Sequence, residues 1–199
     1  YMEKMKLNIQ QFASIGLKRF RFGKLLENGL SYESPKSLEG AIESKVSLNL
    51  ANAKLYGDDQ VNDELDEFTD GTMTIGVVDD PDDIFAELLG REERNIDDSE
   101  TDKQYVSKSD DIAPYVGFGH VVPKRKNGKK VYKVEFFPKV KFKPFVADKK
   151  TKNDSLTFTT PSIEGTIYEN VEKEWLYQAT FADENDANAY LDSLFTPAA

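Results

Sequence analysis

Tyr132-Lys133-Val134-Glu135-Phe136-Phe137-Pro138-Lys139-Val140-Lys141-Phe142-Lys143-Pro144-Phe145-Val146 is apolar at every even position, and the odd positions between are mostly charged. A period of two with one apolar and one cationic face predicts a long half-buried β-ribbon. Pro138 and Pro144 cannot donate to a strand ladder, so the ribbon is expected at a sheet edge or broken at bulges, its backbone open to a neighbour. Just upstream, Asn127-Gly128 is a hairpin signal, because a type I′ turn needs positive φ at both central residues. It should pair residues 116–122 with 131–137.

Working outward, residues 156–160 and 162–168 read as strands, the second alternating Ile163, Gly165 and Ile167. Another alternates Trp175, Tyr177, Ala179 and Phe181, and residues 17–26, 41–50 and 72–78 are rich in β-branched and aromatic side chains. Seven or eight strands make the chain mainly β. Two helices are expected. In the first, over 81–89, Asp80 caps, Pro81 takes the first helical position, and Ile84, Phe85, Leu88 and Leu89 form an apolar stripe ending at Gly90. The second follows an Asp183 cap, and its stripe of Ala187, Tyr190, Leu191, Leu194 and Phe195 predicts a C-terminal helix lying on the sheets. No repeat of fixed period is present, which argues against a solenoid or propeller.

Charge is sorted into blocks. Residues 58–111 hold twenty Asp and Glu against four Lys and Arg, whereas residues 120–152 hold twelve Lys and Arg against two acids. The net charge of −10 thus conceals two opposite fields, which can mate between copies or neutralise each other within one. At 199 residues the chain can bury a real core and is expected to form one domain with arms. The acidic stretch 95–111 is expected to be a loop. There is no cysteine, so disulfides and thiolate metal sites are excluded, in keeping with maturation in a reducing cytoplasm. No membrane span or signal-peptide core is legible.

The inventory for catalysis is thin. His120, the one histidine, lies in a strand and reads as a packing residue rather than a general base. Zinc would then need mostly carboxylates, an uncommon set. Asp58-Asp59 and Asp79-Asp80-Pro81-Asp82-Asp83 lack the alternating oxygens, turn glycine and distal glutamate of a calcium loop. The second run is explained by helix capping and charge at a helix N-terminus. Acid pairs for hydrolysis carry no specificity in so acidic a chain. Gly117 and Gly119 lie inside a strand, so they predict close packing or a bulge, not a phosphate loop. The basic hairpin tip at Lys124-Arg125-Lys126 and Lys129-Lys130 could grip nucleic acid, but Tyr132 and Phe136 alternate onto the core face and offer no stacking platform. No enzyme activity and no cofactor are expected.

Six segments in order resemble the phi13-type major tail protein family of siphophages infecting Gram-positive bacteria. They are Gly16-Leu-Lys-Arg-Phe-Arg-Phe-Gly-Lys-Leu25, Pro35-Lys-Ser-Leu-Glu-Gly-Ala-Ile42, Ala53-Lys-Leu-Tyr-Gly-Asp-Asp59, Asp80-Pro-Asp-Asp-Ile-Phe-Ala-Glu-Leu-Leu-Gly90, Pro114-Tyr-Val-Gly-Phe-Gly119 and Asp154-Ser-Leu-Thr-Phe-Thr-Thr-Pro-Ser-Ile-Glu-Gly-Thr166. The likeness runs from about residue 16 to 181 and departs at the acidic insert 95–111, the N-terminal arm and the C-terminal helix. It implies a tail-tube-type β-sandwich with a flanking helix over 16–182, between an extended arm at 1–15 and a terminal helix or arm at 183–199. It further implies hexameric rings stacked into a tube that conducts phage DNA without specific binding. The implied partners are further copies of the chain, a tape measure protein inside the tube, and tail terminator and distal tail proteins at its ends. The implied place is the virion, after assembly in the host cytoplasm. By the same likeness, residues 55–70 form a long loop or hairpin touching the next ring, with Leu55, Tyr56, Gly57, Asp58, Asp59 and Val61 at the contact.

Duplex DNA carries one negative charge per ~1.7 Å, so a conduit walled by lysines would hold it through counterion release. The charge blocks therefore suggest carboxylates at the bore, with Lys139, Lys141 and Lys143 paired to acidic loops of adjacent subunits. A reading of another class is a monomeric β-sandwich module for carbohydrate or cell-surface binding, with Trp175 and Tyr177 as an exposed platform.

Overall fold

A computed structural model describes residues 13–14, 17–57, 60–78, 81–96, 102–144 and 161–195, with side chains except at 13–14 and 53–65. In chain order the elements are β1 (Ala13–Ser14), β2 (Lys18–Lys24), β3 (Lys36–Ser37), β4 (Ala41–Gly57), β5 (Gln60–Val77), α1 (Asp82–Leu89), β6 (Glu92–Asn95), β7 (Lys103–Val106), β8 (Tyr115–Lys126), β9 (Lys129–Lys143), β10 (Ser162–Tyr168), β11 (Tyr177–Phe181) and α2 (Glu184–Ser193). The chain is mainly β. One antiparallel sheet runs β3-β2-β8-β9-β10-β5-β4, with β1 added on β8 and β11 on β9, and β6 and β7 make a separate two-stranded ribbon. The residue 156–160 strand, the Asp80 cap and residues 1–12 of the arm lie outside the described residues.

The β8–β9 hairpin turns at Asn127 and Gly128 with φ of 51° and 76°, as a type I′ turn requires. Its register holds Val122 opposite Lys133 and Phe118 opposite Phe137, then skips to Val116 opposite Val140. Two residues of β9, Pro138 and Lys139, therefore stand opposite the single Gly117, which is a β-bulge. The bulge inverts which face the even positions serve. Before it, Tyr132, Val134 and Phe136 pack with Tyr32, Ala187, Leu191 and Phe195 under α2. After it, Val140 and Phe142 join Phe20, Phe22, Met73, Ile75 and Phe118 in the main core on the other face, which α1 covers with Phe85, Leu88 and Leu89.

Of the edge or bulge expected for this strand, the bulge holds and the edge does not, because β9 is central. It is paired by β8 along one side and by β11 and β10 in succession along the other. Proline is tolerated there for a local reason: β11 stops at Phe136, β10 starts at Lys139, and on the β8 side the bulge removes the need for a donor. The Pro138 carbonyl accepts from the Tyr32 hydroxyl at 2.8 Å. A Cβ at Gly117 would meet that tyrosine ring at 2.5 Å, and one at Gly119 would meet Leu191 at 2.5 Å, so both glycines permit close packing as expected.

The helices follow their stripes. Gly90 closes α1 at φ 70°, and Arg91 donates its N–H to Ala86. Pro81 sits at the cap itself, one residue before the position expected, without a side-chain cap bond. Asp183 caps α2 by accepting from the Asn185 N–H at 2.7 Å. Lys18 pairs with Glu184, and Arg19 and Arg21 with Asp192, so β2 ties down both ends of α2.

One further expectation changes and another is narrowed. The acidic segment 95–111 is not all loop, because β7 pairs with β6 and its lysines neutralise the acids: Lys103 faces Glu93, and Lys108 and Arg94 hold Glu92. That double pairing keeps the Glu92 carboxyl low, at about 2, through the Arg94 and then the Lys108 hydrogen bond. Of the loop or hairpin expected at 55–70, the hairpin is what the register holds. The segment is the outer part of one β4–β5 hairpin paired from Ala41–Val77 to Gly57–Gln60.

Candidate functional site

Strand β4 ends the sheet, and among the described residues nothing pairs along its outer side. At 17 residues it is a long edge. The opposite edge is β3, with two residues. Cross-strand register settles which way β4 side chains face: Ser44 stands opposite Ile75, Val46 opposite Met73 and Leu48 opposite Gly71. Met73 and Ile75 are fully buried in the main core, so Val46 and Leu48 extend that apolar face to the edge. There the cover ends. Val46 is 37% exposed, Leu48 40% and Leu50 53%. An apolar ledge beside an unpaired strand edge is what proteins ordinarily blunt with charge, proline or a covering segment.

The other face of the same four strands is polar. Lys141, Thr166, Thr72 and Ser47 form one cross-strand row, and Lys143, Glu164, Thr74 and Lys45 the next. The three lysines singled out in the sequence are therefore neighbours on one face but have different partners. Lys139 and Lys141 lie over the Tyr115 ring at 5.0 and 5.2 Å, and Lys143 reaches Glu164 at 3.5 Å within the chain.

Of the residues expected at an inter-ring contact, Leu55, Tyr56, Gly57 and Val61 lie in the outer part of the β4–β5 hairpin. Tyr56 is opposite Val61 and Gly57 opposite Gln60. Their side chains, and Asp58 and Asp59 altogether, lie outside what is described. The hairpin is stapled nearer the sheet, where Asn49 donates to Asp70 at 2.6 Å and Asn52 to Asp66 at 2.7 Å. Sequence reasoning missed both the β4 ledge and this stapling, although the alternation Val46, Leu48, Leu50 was there to be read.

His120 is a packing residue. It is 2% exposed, stacked between Phe20 and Phe137 with ring centroids at 5.4 and 6.5 Å, and its Nε2 lies 3.3 Å from Glu135. The His120 hydrogen bond, and after it the Lys133 ammonium at 2.7 Å, depress the Glu135 carboxyl from 4.5 to about 2, against burial, which raises it. A carboxyl that titrates lower folded than unfolded stabilises the fold fully above its unfolded value and loses that contribution as pH falls towards the folded one. Glu135→Gln is therefore expected to flatten the fall of melting temperature between about pH 5 and pH 2. Thermal unfolding across that window checks it, and parallel curves for the two proteins would refute it.

Trp175 precedes β11 and stacks on Phe68 at 4.6 Å, while Tyr177 stacks on Phe136 at 5.9 Å. Each ring thus has one face against the protein and is half-buried. No cluster of three or more metal-ligating side chains occurs among the described residues. Compared with the protein-family models and with the curated proteins, the chain matches none.

Proposed function

We propose that this chain is a self-assembling structural subunit, a siphophage major tail protein whose rings stack into the tube that conducts phage DNA. The observation that carries the reading is the β4 edge. It is a strand of 17 residues with no partner on its outer side among the described residues and an apolar ledge continuous with the core. Pairing it with a neighbour supplies directional main-chain hydrogen bonds and buried apolar area together. Repeated from copy to copy, that contact curls a tail-tube-type sandwich into a hexameric ring, as the resemblance implies. The polar rows of the opposite face, hydroxyls between lysines and a carboxylate, offer passing DNA no unbroken cationic surface. Copies of the chain are the first partners, with the tape measure, terminator and distal tail proteins following from the resemblance.

Negative-stain microscopy of the purified chain at rising concentration tests the reading. Rings or tubes are the expected result, with sedimentation showing species above the monomer. A strict monomer at millimolar concentration would overturn it.

A further inference from the structure

Strand β9 outlasts its neighbour. Its register with β8 stops at Lys141 opposite Tyr115, while β10 accompanies it on the other side to Lys143 opposite Glu164. Residues 142–143 therefore have a strand partner on one side alone among the described residues. The segment leading into β8 runs instead against the end of α1, so close that a Cβ at Gly90 would collide with the Ile112 carbonyl. Between that segment and the end of β9 lies a groove of about 520 Å³.

Its walls are of two kinds. Leu89, Ile112, Ala113 and Phe142 are apolar, and Ile112, 77% exposed, is the most open of the large hydrophobic side chains described. Arg91, Lys108, Lys141 and Lys143 bring cations from three separate segments. Asp111 is the one acid among the lining residues, and its carboxylate already accepts from the Lys108 backbone N–H at 2.7 Å. Lys141 lies over the Tyr115 ring with no carboxylate beside it among the described residues. The pair of Lys143 with Glu164 is 3.5 Å long and more than half exposed on both sides, so it holds weakly.

We propose that this groove docks an extended acidic peptide segment of another protein, with one apolar side chain seated between Ile112 and Phe142. The inference goes beyond self-assembly and does not depend on it. An extended segment laid along the open part of β9 sends alternate side chains to opposite faces. Carboxylates then stand beside Lys141 and Lys143, and the residue between them meets the apolar wall. Acids close by in the chain do not neutralise the groove from within, because Glu93 is held by Lys103 and Glu87 by Lys24 and Lys36. Charge guides arrival and orientation, while main-chain hydrogen bonds and the buried apolar side chain hold the peptide.

The test uses a fluorescein-labelled peptide, Gly-Glu-Glu-Leu-Glu-Glu amide, titrated with the full chain below the concentration at which particles form and read by fluorescence anisotropy. Saturable binding is expected, weakened about tenfold by Lys141→Glu and about fivefold by Ile112→Ser. A peptide with serine in place of leucine should lose the same amount. Lys126→Glu with Lys129→Glu, at the basic β8–β9 tip that has no such groove, should leave the affinity within about twofold. Melting curves check each variant, and should Lys141→Glu unfold, Ile112→Ser and the serine peptide decide. Absence of saturable binding overturns the proposal. So does equal binding of the two peptides, or a loss at the tip variant as large as at Lys141, since either marks unselective attraction between opposite charges. A chain carrying both Lys141→Glu and Ile112→Ser keeps its own acidic segments but not the seat. Displacement of the probe by that competitor would assign the groove to a second copy and overturn the proposal as well.

Discussion

Replacing Val46 and Leu48 together by lysine is expected to leave a folded monomer that forms particles only at a higher concentration. Both side chains sit at the edge of the sheet, 37% and 40% exposed, so the monomer loses only part of a core side chain's burial on their removal. An interface that covers the remaining two-fifths of each gains about 0.6–1.2 kcal/mol per side chain. Lysine removes that gain and places an ammonium on the path of the incoming strand, the device by which natural edges resist association. The loss of about 1–2.5 kcal/mol corresponds to a rise of roughly five- to seventyfold in the concentration needed for assembly. Light scattering against concentration measures this, with circular dichroism and thermal melting as the check on folding. Assembly at the unchanged concentration would show that β4 is not the ring contact.

Phe136→Ala is expected to cost about 3–5 kcal/mol, a large share of the 5–15 kcal/mol by which typical domains are stable. Its ring meets Phe195 at 5.0 Å, Tyr32 at 5.6 Å and Tyr177 at 5.9 Å, and it lies against Gly117 and Gly119 where no other side chain fits. The vacated space can be filled neither by the glycines nor by α2, which the Arg19, Arg21 and Lys18 ion pairs hold in place. Denaturant unfolding should show the loss, and amide exchange should show α2 opening before the main core. A change under about 1 kcal/mol would mean that the layer under α2 collapses around the gap more readily than its packing suggests.

Local rules were legible where one residue type dictates one geometry. Asn127-Gly128 declared its turn because few other pairs accept positive φ twice, and Asp183 and Gly90 declared helix ends for equally local reasons. The β9 alternation declared a strand, but not that its two halves serve different cores, because a bulge leaves the written pattern of even apolar residues intact. Pro138 announced an edge or a bulge, and it is the bulge that the register holds. The succession of β11 and β10 along one side of β9 is a tertiary arrangement that periodicity does not carry. The β4–β5 hairpin was underestimated because Asn49, Ala51, Asn52, Asp66 and Asp70 are poor strand formers. Their cross-strand hydrogen bonds appear only once the register is known. At the candidate site, the ring beneath Lys139 and Lys141 and the carboxylate beside Lys143 likewise follow from register rather than spacing.

The doubled residue at Pro138 and Lys139 also bears on how the gene can change. Losing one codon there would restore strict pleating and rotate the rest of the strand by half a turn, sending Lys139, Lys141 and Lys143 towards the oil and Val140 and Phe142 into the water. The far tip of the β4–β5 hairpin can gain or lose a pair of residues with no such inversion. Descendants of this chain should therefore vary in length at their outermost reach while the middle of the sheet keeps its residue count.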